Sequence, residues 1–300
     1  MSQTTKFTGA LLGLAIGDAV GTTAEFKPRG SFPPVTDMVG KGPFNLKPGE
    51  WTDDTSMALC LATSLVEKQG FDADDQMQRY CAWFETGYLS SNGRCFDIGI
   101  TTSEALRQYR HTGYPFSGST DPFTAGNGCI MRLAPVPMFY HKSLDDAVHY
   151  SGEGSRTTHG AAECVEASRL FGVMLFTALQ GADKEAILSG GATLSGLSRK
   201  IQQIATGTYR TKSRAQINGN GYVVNSLEAA LWCFDQTDTY RDAVLMATNL
   251  GDDTDTTAAI CGQVAGAYYG EEGIPVAWRE RVVMGDEIRT LAIQLMALGQ

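Results

Sequence analysis

Four glycines at every fourth position, Gly9, Gly13, Gly17 and Gly21, run through an otherwise apolar stretch from Phe7 to Gly21. On an α-helix this spacing stacks them along one face, and a face without side chains lets a second helix come close. Each glycine costs a helix roughly 1 kcal/mol relative to alanine, so four of them signal packing or function. A buried central helix packed against another helix is the direct reading. Asp18, inside Gly17-Asp18-Ala19-Val20-Gly21, would end that helix at a polar site.

Helical periodicity continues along the chain, and strand-like alternation of any length is absent, so the expected class is all-α. Candidate helices run over Phe7–Gly21, Ser56–Gln69, Ala73–Thr86, Asp97–Tyr109 and Leu144–Gly152. Others cover His159–Gln180, Lys184–Gly191, Ser226–Gln236, Tyr240–Asn249, Thr256–Gly270 and Ala277–Leu298. Two long stretches rich in Gly, Pro and Ser, Phe26–Trp51 and Arg110–Gly128, read as loops, and loops of that length in compact domains are commonly functional. No repeat or linker divides the 300 residues, 43% of them hydrophobic, which predicts one helical domain over residues 1–300.

The net charge of −9, with only short basic groups such as Arg107 with Arg110 or Arg199-Lys200 with Arg210, Lys212 and Arg214, argues against nucleic acid as a partner. Seven dispersed cysteines without a Cys-x-x-Cys pair read as reduced, mostly buried thiols. The apolar run Gly9–Ile16 after Lys6 imitates a secretory signal, but Asp18 and Glu25 interrupt it. No continuous apolar segment reaches the roughly 20 residues of a membrane span, so a cytoplasmic protein is expected.

Two acid clusters stand immediately before helical patterns. Trp51-Thr52-Asp53-Asp54-Thr55 precedes an amphipathic helix, where Thr52 is placed to cap and the acids complement the helix dipole. Gly251-Asp252-Asp253-Thr254-Asp255-Thr256-Thr257 precedes a helix rich in small residues. Two like charges about 4 Å apart repel by roughly 4 kcal/mol at an effective dielectric near 20. No Lys or Arg lies between Ala243 and Arg279 to relieve that repulsion, which makes a bound cation the simpler explanation. Oxygen donors without His or Cys select Mg²⁺, Mn²⁺ or Ca²⁺, and the spacing is not that of an EF-hand. If the two clusters meet in space, their carboxylates with the hydroxyls of Thr52 and Thr256 could hold two ions.

Five motifs in order complete this picture: Gly13-x-x-x-Gly17-Asp18-Ala19-x-Gly21-x-x-x-Glu25, Thr52-Asp53-Asp54-Thr55, Gly126-Asn127-Gly128-x-x-Met131-Arg132, Thr158-His159, and Gly251-x-Asp253-x-Asp255-Thr256. Together they resemble the ADP-ribosylglycohydrolase family over about Phe7 to Leu298, and in particular its bacterial dinitrogenase reductase-activating and arginine-type members. The resemblance implies a single-domain orthogonal helical bundle with a dinuclear metal cleft. It further implies two Mg²⁺ or Mn²⁺ ions on Thr52, Asp53, Asp54, Asp253, Asp255 and Thr256, with Glu25 close to them. Phe96-Asp97-Ile98-Gly99 is similar to the Asp-x-Gly segment of the arginine-type enzymes, making Asp97 the candidate proton donor and Gly99 a substrate neighbour. Without the family, Asp97 reads as an N-cap for the helix containing Thr101 and Thr102.

Gly126-Asn127-Gly128 reads as a tight turn on propensity, and the resemblance makes it a substrate loop whose N–H groups can cradle phosphate. His159 and, in Gly221-Tyr222-Val223-Val224, Tyr222 are likewise implied to bind substrate. The implied activity is removal of ADP-ribose from modified protein side chains, most directly arginine, by a monomeric enzyme acting on ADP-ribosylated protein and releasing ADP-ribose. The rival readings are an ADP-ribose-binding or structural protein without catalysis and a hydrolase of serine-linked or small-molecule ADP-ribose conjugates. The chain departs from the family pattern in two places. His159-Gly160-Ala161-Ala162 lacks the second His and Pro of many arginine-type relatives, and Asp252 replaces a glycine, which is expected to add charge near the metals.

Overall fold

The computed structural model describes residues 2–300. Its fourteen α-helices are α1 (Gln3–Gly21), α2 (Asp53–Lys68), α3 (Ala73–Thr86), α4 (Ile100–Thr112), α5 (Pro135–Phe139), α6 (Leu144–Arg156) and α7 (Ala162–Leu179), followed by α8 (Lys184–Ser189), α9 (Arg199–Ala205), α10 (Val223–Asp235), α11 (Tyr240–Thr248), α12 (Thr254–Gly273), α13 (Val276–Arg281) and α14 (Gly285–Leu298). Among the described residues, β-type pairing is limited to three isolated bridges, so the all-α reading holds.

The glycine face of α1 packs on α12, which runs antiparallel to it. A Cβ added at Gly9, Gly13, Gly17 or Gly21 would lie 2.3, 2.3, 2.2 or 2.4 Å from the carbonyl oxygen of Gly266, Gly262, Ala258 or Thr254 respectively. Reciprocally, Gly262 and Gly266 have no room for a Cβ against the carbonyls of Gly13 and Gly9. Side chains are excluded because backbone meets backbone, and this fixes the register of the pair. The end of α1 is thereby set beside the start of α12, placing Asp18 and Glu25 against the second acid cluster.

By length and composition the Gln3–Ala24 helical segment could cross a membrane, contrary to the expectation of a shorter apolar run, but 94% of its most apolar window is buried in the protein. Around the α1–α12 pair a hydrophobic core extends from Phe7 to Leu295, and a smaller one under α2, α3 and α4 gathers Met57, Met77, Tyr80, Trp83, Leu106 and Met131.

Two expected elements differ. The pattern Ala277–Leu298 is two helices, α13 and α14, because Val283 is drawn out of line: its N–H donates to Gly49 O, its carbonyl accepts from Trp51 Nε1, and Met284 turns left-handed at φ 57°. The helix expected from Asp97 begins only at Ile100, with Gly99 at its N-cap and Asp97 outside it at φ 62°. The short helices α5 and α9 lie where no helix was expected.

Candidate active site

Both acid clusters sit at helix starts whose capping groups come from elsewhere in the chain. At α2, Thr52 occupies the N-cap position but makes no side-chain cap bond. Asp18, from the last turn of α1, caps in its place: Oδ1 accepts from Thr52 N (2.9 Å) and Thr52 Oγ1 (2.9 Å), and Oδ2 accepts from Thr55 N (3.1 Å) and Thr55 Oγ1 (2.6 Å). At α12, Glu25 Oε2 accepts from Thr254 N (2.7 Å) and Asp255 N (3.1 Å). Carboxylates near helix N-termini satisfy orphan amides and complement the dipole. Borrowing them releases the clusters' own side chains to face one another.

The clusters do meet. One carboxylate oxygen from each of Asp18, Asp54 and Asp255 falls within 4.8 Å of the others, and the same holds for Glu25, Asp253 and Asp255. Thr52 Oγ1 lies 2.9 Å from Asp18 Oδ1, 3.2 Å from Asp54 Oδ2 and 3.3 Å from Asp255 Oδ2, while Thr256 Oγ1 lies 3.4 Å from Asp54 Oδ2. A hydroxyl has one proton, so Thr52 cannot satisfy three carboxylates. Asp54 Oδ1 is buried without any hydrogen-bond partner. Among the described residues, no Lys, Arg or His forms an ion pair with these acids. Burial first, and the Asp255 charge second, push Asp18 and Asp253 each up to about 7. The same two causes raise Glu25 and Asp53 well above the usual carboxylate range; Asp54 is raised by burial and then by Asp18 and Asp255. A crowded, all-oxygen donor set with an orphaned oxygen fits one or two hard divalent cations, which would hold these groups ionised.

Above the acids opens a cleft of about 490 Å³. Its lining includes Glu25, Asp53, Asp253, Asp255 and Thr256 on the acidic side and Asp97, Gly99, Gly126, Asn127, Gly128 and His159 on the walls. Thr52 and Asp54 lie behind this surface, fully buried. Asp97 is pushed up to about 12, first by burial and then by the charges of Asp255 and Asp53. Asn127 Nδ2 donates to Asp253 Oδ2 (2.9 Å) and to Ser226 Oγ (3.0 Å), so its side chain ties the glycine loop to the acids. The amides of Gly126 and Asn127 are committed to Thr124 O and Gly221 O; those of Gly128 and Cys129 have no protein acceptor among the described residues. Tyr222 stands apart from the lining: its hydroxyl donates to Glu163 and accepts from Lys200 Nζ (2.6 Å), and Gly221 reaches the cleft instead.

Asp18 was legible as a polar interruption of the first helix but not as the cap of another. Phe26, Thr101, Thr102 and Met131 also line the cleft, and each adjoins or lies within a motif already singled out, which is the signal that could have found them. Asp252 was expected to add charge near the metals. It is exposed and outside the cleft, and it adopts φ 69°, the left-handed region a glycine would fill without strain. Phe26 and Asp97 are likewise left-handed, at φ 61° and 62°, so three non-glycine residues in this conformation cluster at or beside the cleft. Gly160, where a Cβ would lie 2.5 Å from Gly118 O, leaves no space for a side chain.

Known proteins resemble this chain along nearly its whole length. The ADP-ribosylglycohydrolase family model matches residues 1–300. A protein of Serratia proteamaculans named ADP-ribosylarginine hydrolase Tri1 is 46% identical over 98% of this chain and 80% of its own length. Its namesake in Pseudomonas putida is 48% identical over 96% and 76%. The ADP-ribosyl-[dinitrogen reductase] glycohydrolase of Rhodospirillum rubrum is 31% identical over 97% and 95%. A solved structure described as an ADP-ribosylglycohydrolase-related protein complex superposes with a TM-score of 0.89 at 39% identity, covering 99% of both chains. The chain belongs to the ADP-ribosylglycohydrolase family and is a glycosyl-hydrolase-type enzyme.

Proposed function

We propose that this enzyme hydrolyses the N-glycosidic bond between ADP-ribose and a modified arginine side chain of a protein, releasing ADP-ribose and the unmodified arginine. The observation that carries the reading is the convergence of both acid clusters in one cleft whose lining also includes the glycine loop and His159. The relatives named as arginine hydrolases support arginine as the acceptor. Thr52, Asp53, Asp54, Asp253, Asp255 and Thr256 would hold two Mg²⁺ or Mn²⁺ ions. When bound, such ions orient ribose hydroxyls and lower the pKa of water.

The protein's own groups divide the remaining work. Glu25 keeps Oε2 on the amides of α12 while lining the cleft, so its carboxylate would be placed to take a proton from the attacking water. Asp97 holds a proton against Asp255 and Asp53 and would deliver it to the departing guanidino nitrogen. Water's hydroxyl thus goes to the anomeric carbon and a proton to arginine. The amide of Gly128, in the cleft lining and without a protein acceptor among the described residues, would be free for a pyrophosphate oxygen, which suits a protein of net charge −9. Residues 1–300 would act as one domain and as a monomer, and the seven unpaired cysteines suit the cytoplasm.

The test is ADP-ribose release from arginine- and serine-modified protein, each with EDTA, Mg²⁺ or Mn²⁺. Release from arginine alone, abolished by EDTA, is expected. Release from serine would move the acceptor, and binding of ADP-ribose without release from either would remove catalysis.

A further inference from the structure

Arg132 is only 1% exposed and has no carboxylate partner among the described residues, an expensive state for a cation. Its guanidinium lies 4.9 Å over the Tyr80 ring. Nη1 donates to Gly128 O in the glycine loop, and Nη2 donates to Thr158 Oγ1 at 2.6 Å. Thr158 Oγ1 in turn lies 2.9 Å from His159 Nδ1. The imidazole edge fills the space that Cβ atoms on the loop would need: a Cβ on Gly128 would be 2.6 Å from Cε1, and one on Gly126 would be 3.3 Å from Nε2. Glycine at both positions therefore makes room for the ring.

The hydrogen-bond inventory decides where the imidazole proton sits. Arginine only donates, so Thr158 Oγ1 accepts from Arg132 and has one proton to give. Among the described residues, Nδ1 of His159 is the acceptor within its reach, so Nδ1 is unprotonated and the proton resides on Nε2. Among the described residues Nε2 has no protein partner, and the ring lines the cleft beside Gly128, whose amide has no protein acceptor there. Burial and the Arg132 charge both disfavour a second proton, holding His159 down to about 3.

We infer that Arg132, acting through Thr158, is a positioning residue that fixes His159 as a neutral Nε2–H donor to an anionic phosphate oxygen of the substrate, while its second nitrogen holds the glycine loop against the ring. The substrate part rests on the ADP-ribose reading; the tautomer does not. Without Arg132 and Thr158 the imidazole is free to carry its proton on Nδ1, presenting a lone pair to an anion.

The test uses the full-length protein labelled with ¹⁵N-histidine, with the His159 resonances assigned by their loss in His159→Gln. Wild type should show a neutral ring protonated at Nε2 between pH 6 and 8. Thr158→Val, nearly isosteric, should give a tautomer mixture and bind ADP-ribose about tenfold more weakly, with Mn²⁺ affinity unchanged and the loss appearing in KM more than in kcat. Thr158→Ser should restore both signatures, and Arg132→Met should resemble Thr158→Val if it folds. A wild-type proton on Nδ1, or wild-type ADP-ribose affinity in a folded Thr158→Val with a changed tautomer, would overturn the inference. Wild-type protein showing the Nε2–H signature yet binding no ADP-ribose would instead overturn the functional reading, and with it the phosphate contact.

Discussion

The starts of α2 and α12 are built alike but loaded differently. Each presents Asp and Thr side chains toward the same space, and each takes its cap from a carboxylate near the end of α1. Asp18 serves α2 with both oxygens, each accepting two hydrogen bonds, and is completely buried. Glu25 serves α12 with one oxygen while lining the cleft. The difference separates a group consumed by architecture from one that combines architecture with chemistry, although the two lie only seven positions apart in sequence.

Asp255 joins the two halves, having an oxygen near Asp18 and Asp54 and near Glu25 and Asp253. Asp255→Asn should therefore have the largest effect. Hydrolysis should fall by more than about 10³-fold and Mn²⁺ binding should be lost, because a two-ion clamp needs each shared carboxylate. Helix content should persist, and the metal-free Tm should rise as a source of repulsion disappears. Activity assays with calorimetry check this, and unchanged hydrolysis would remove the shared-site reading.

The caps themselves give the next contrast. Asp18→Asn keeps one oxygen, so its NH₂ faces either Thr52 N–H or Thr55 N–H and leaves a buried amide unpaired, a cost of about 1–3 kcal/mol. Glu25→Gln can keep its oxygen on the α12 amides and turn its NH₂ to the cleft, so stability should change by less than about 1 kcal/mol. Hydrolysis by Glu25→Gln should nevertheless drop by roughly 10²-fold or more, as expected for loss of a general base. Urea unfolding and turnover, measured on both variants, should show the two effects in opposite proportion.

A smaller effect should appear with pH. The cluster carboxylates are raised in the folded, metal-free protein, so the folded state binds more protons than the unfolded one. Their contribution to stability is fully present below the unfolded value near 4 and is lost as pH rises toward and through about 7. The metal-free Tm should consequently fall between pH 5 and 8, and Mn²⁺ should stabilise the protein most at the upper end, where it displaces fewest protons. A metal-free Tm that climbs over this window would contradict the crowding of Asp18, Asp253 and their neighbours.

Much of this arrangement could be read in advance because the decisive signals were local. The spacing Gly9, Gly13, Gly17, Gly21 announced a close helix neighbour, and the two acid runs announced sites at helix starts. Their meeting was not legible from spacing, since the register of α1 on α12 sets it and the partner glycines Gly262 and Gly266 lie about 250 residues away. The capping roles of Asp18 and Glu25 were hidden for the same reason: a cap donated from another element leaves no signature beside the helix it caps. Tertiary ties also broke the α13–α14 pattern at Val283, where neither Gly nor Pro intervenes before Met284. The Arg132–Thr158–His159 chain joined two motifs that the sequence presented separately.

The least disruptive change tests whether charge beside the acids matters when it points away. Asp252 holds a left-handed conformation that costs a non-glycine residue roughly 1–2 kcal/mol, whereas a glycine would lose more chain entropy on folding by about 0.4–1 kcal/mol. Asp252→Gly should thus shift stability by no more than about 1 kcal/mol in the stabilising direction. The backbone bonds from Phe26 N to Asp252 O and from Asp252 N to Lys27 O survive the substitution, so the segment that presents Glu25 keeps its path. Mn²⁺ affinity and hydrolysis should match wild type. A severalfold change in Mn²⁺ affinity with unchanged stability would instead mean that the field of this exposed carboxylate reaches the cluster, and that the start of α12 differs from that of α2 in charge as well as in its cap.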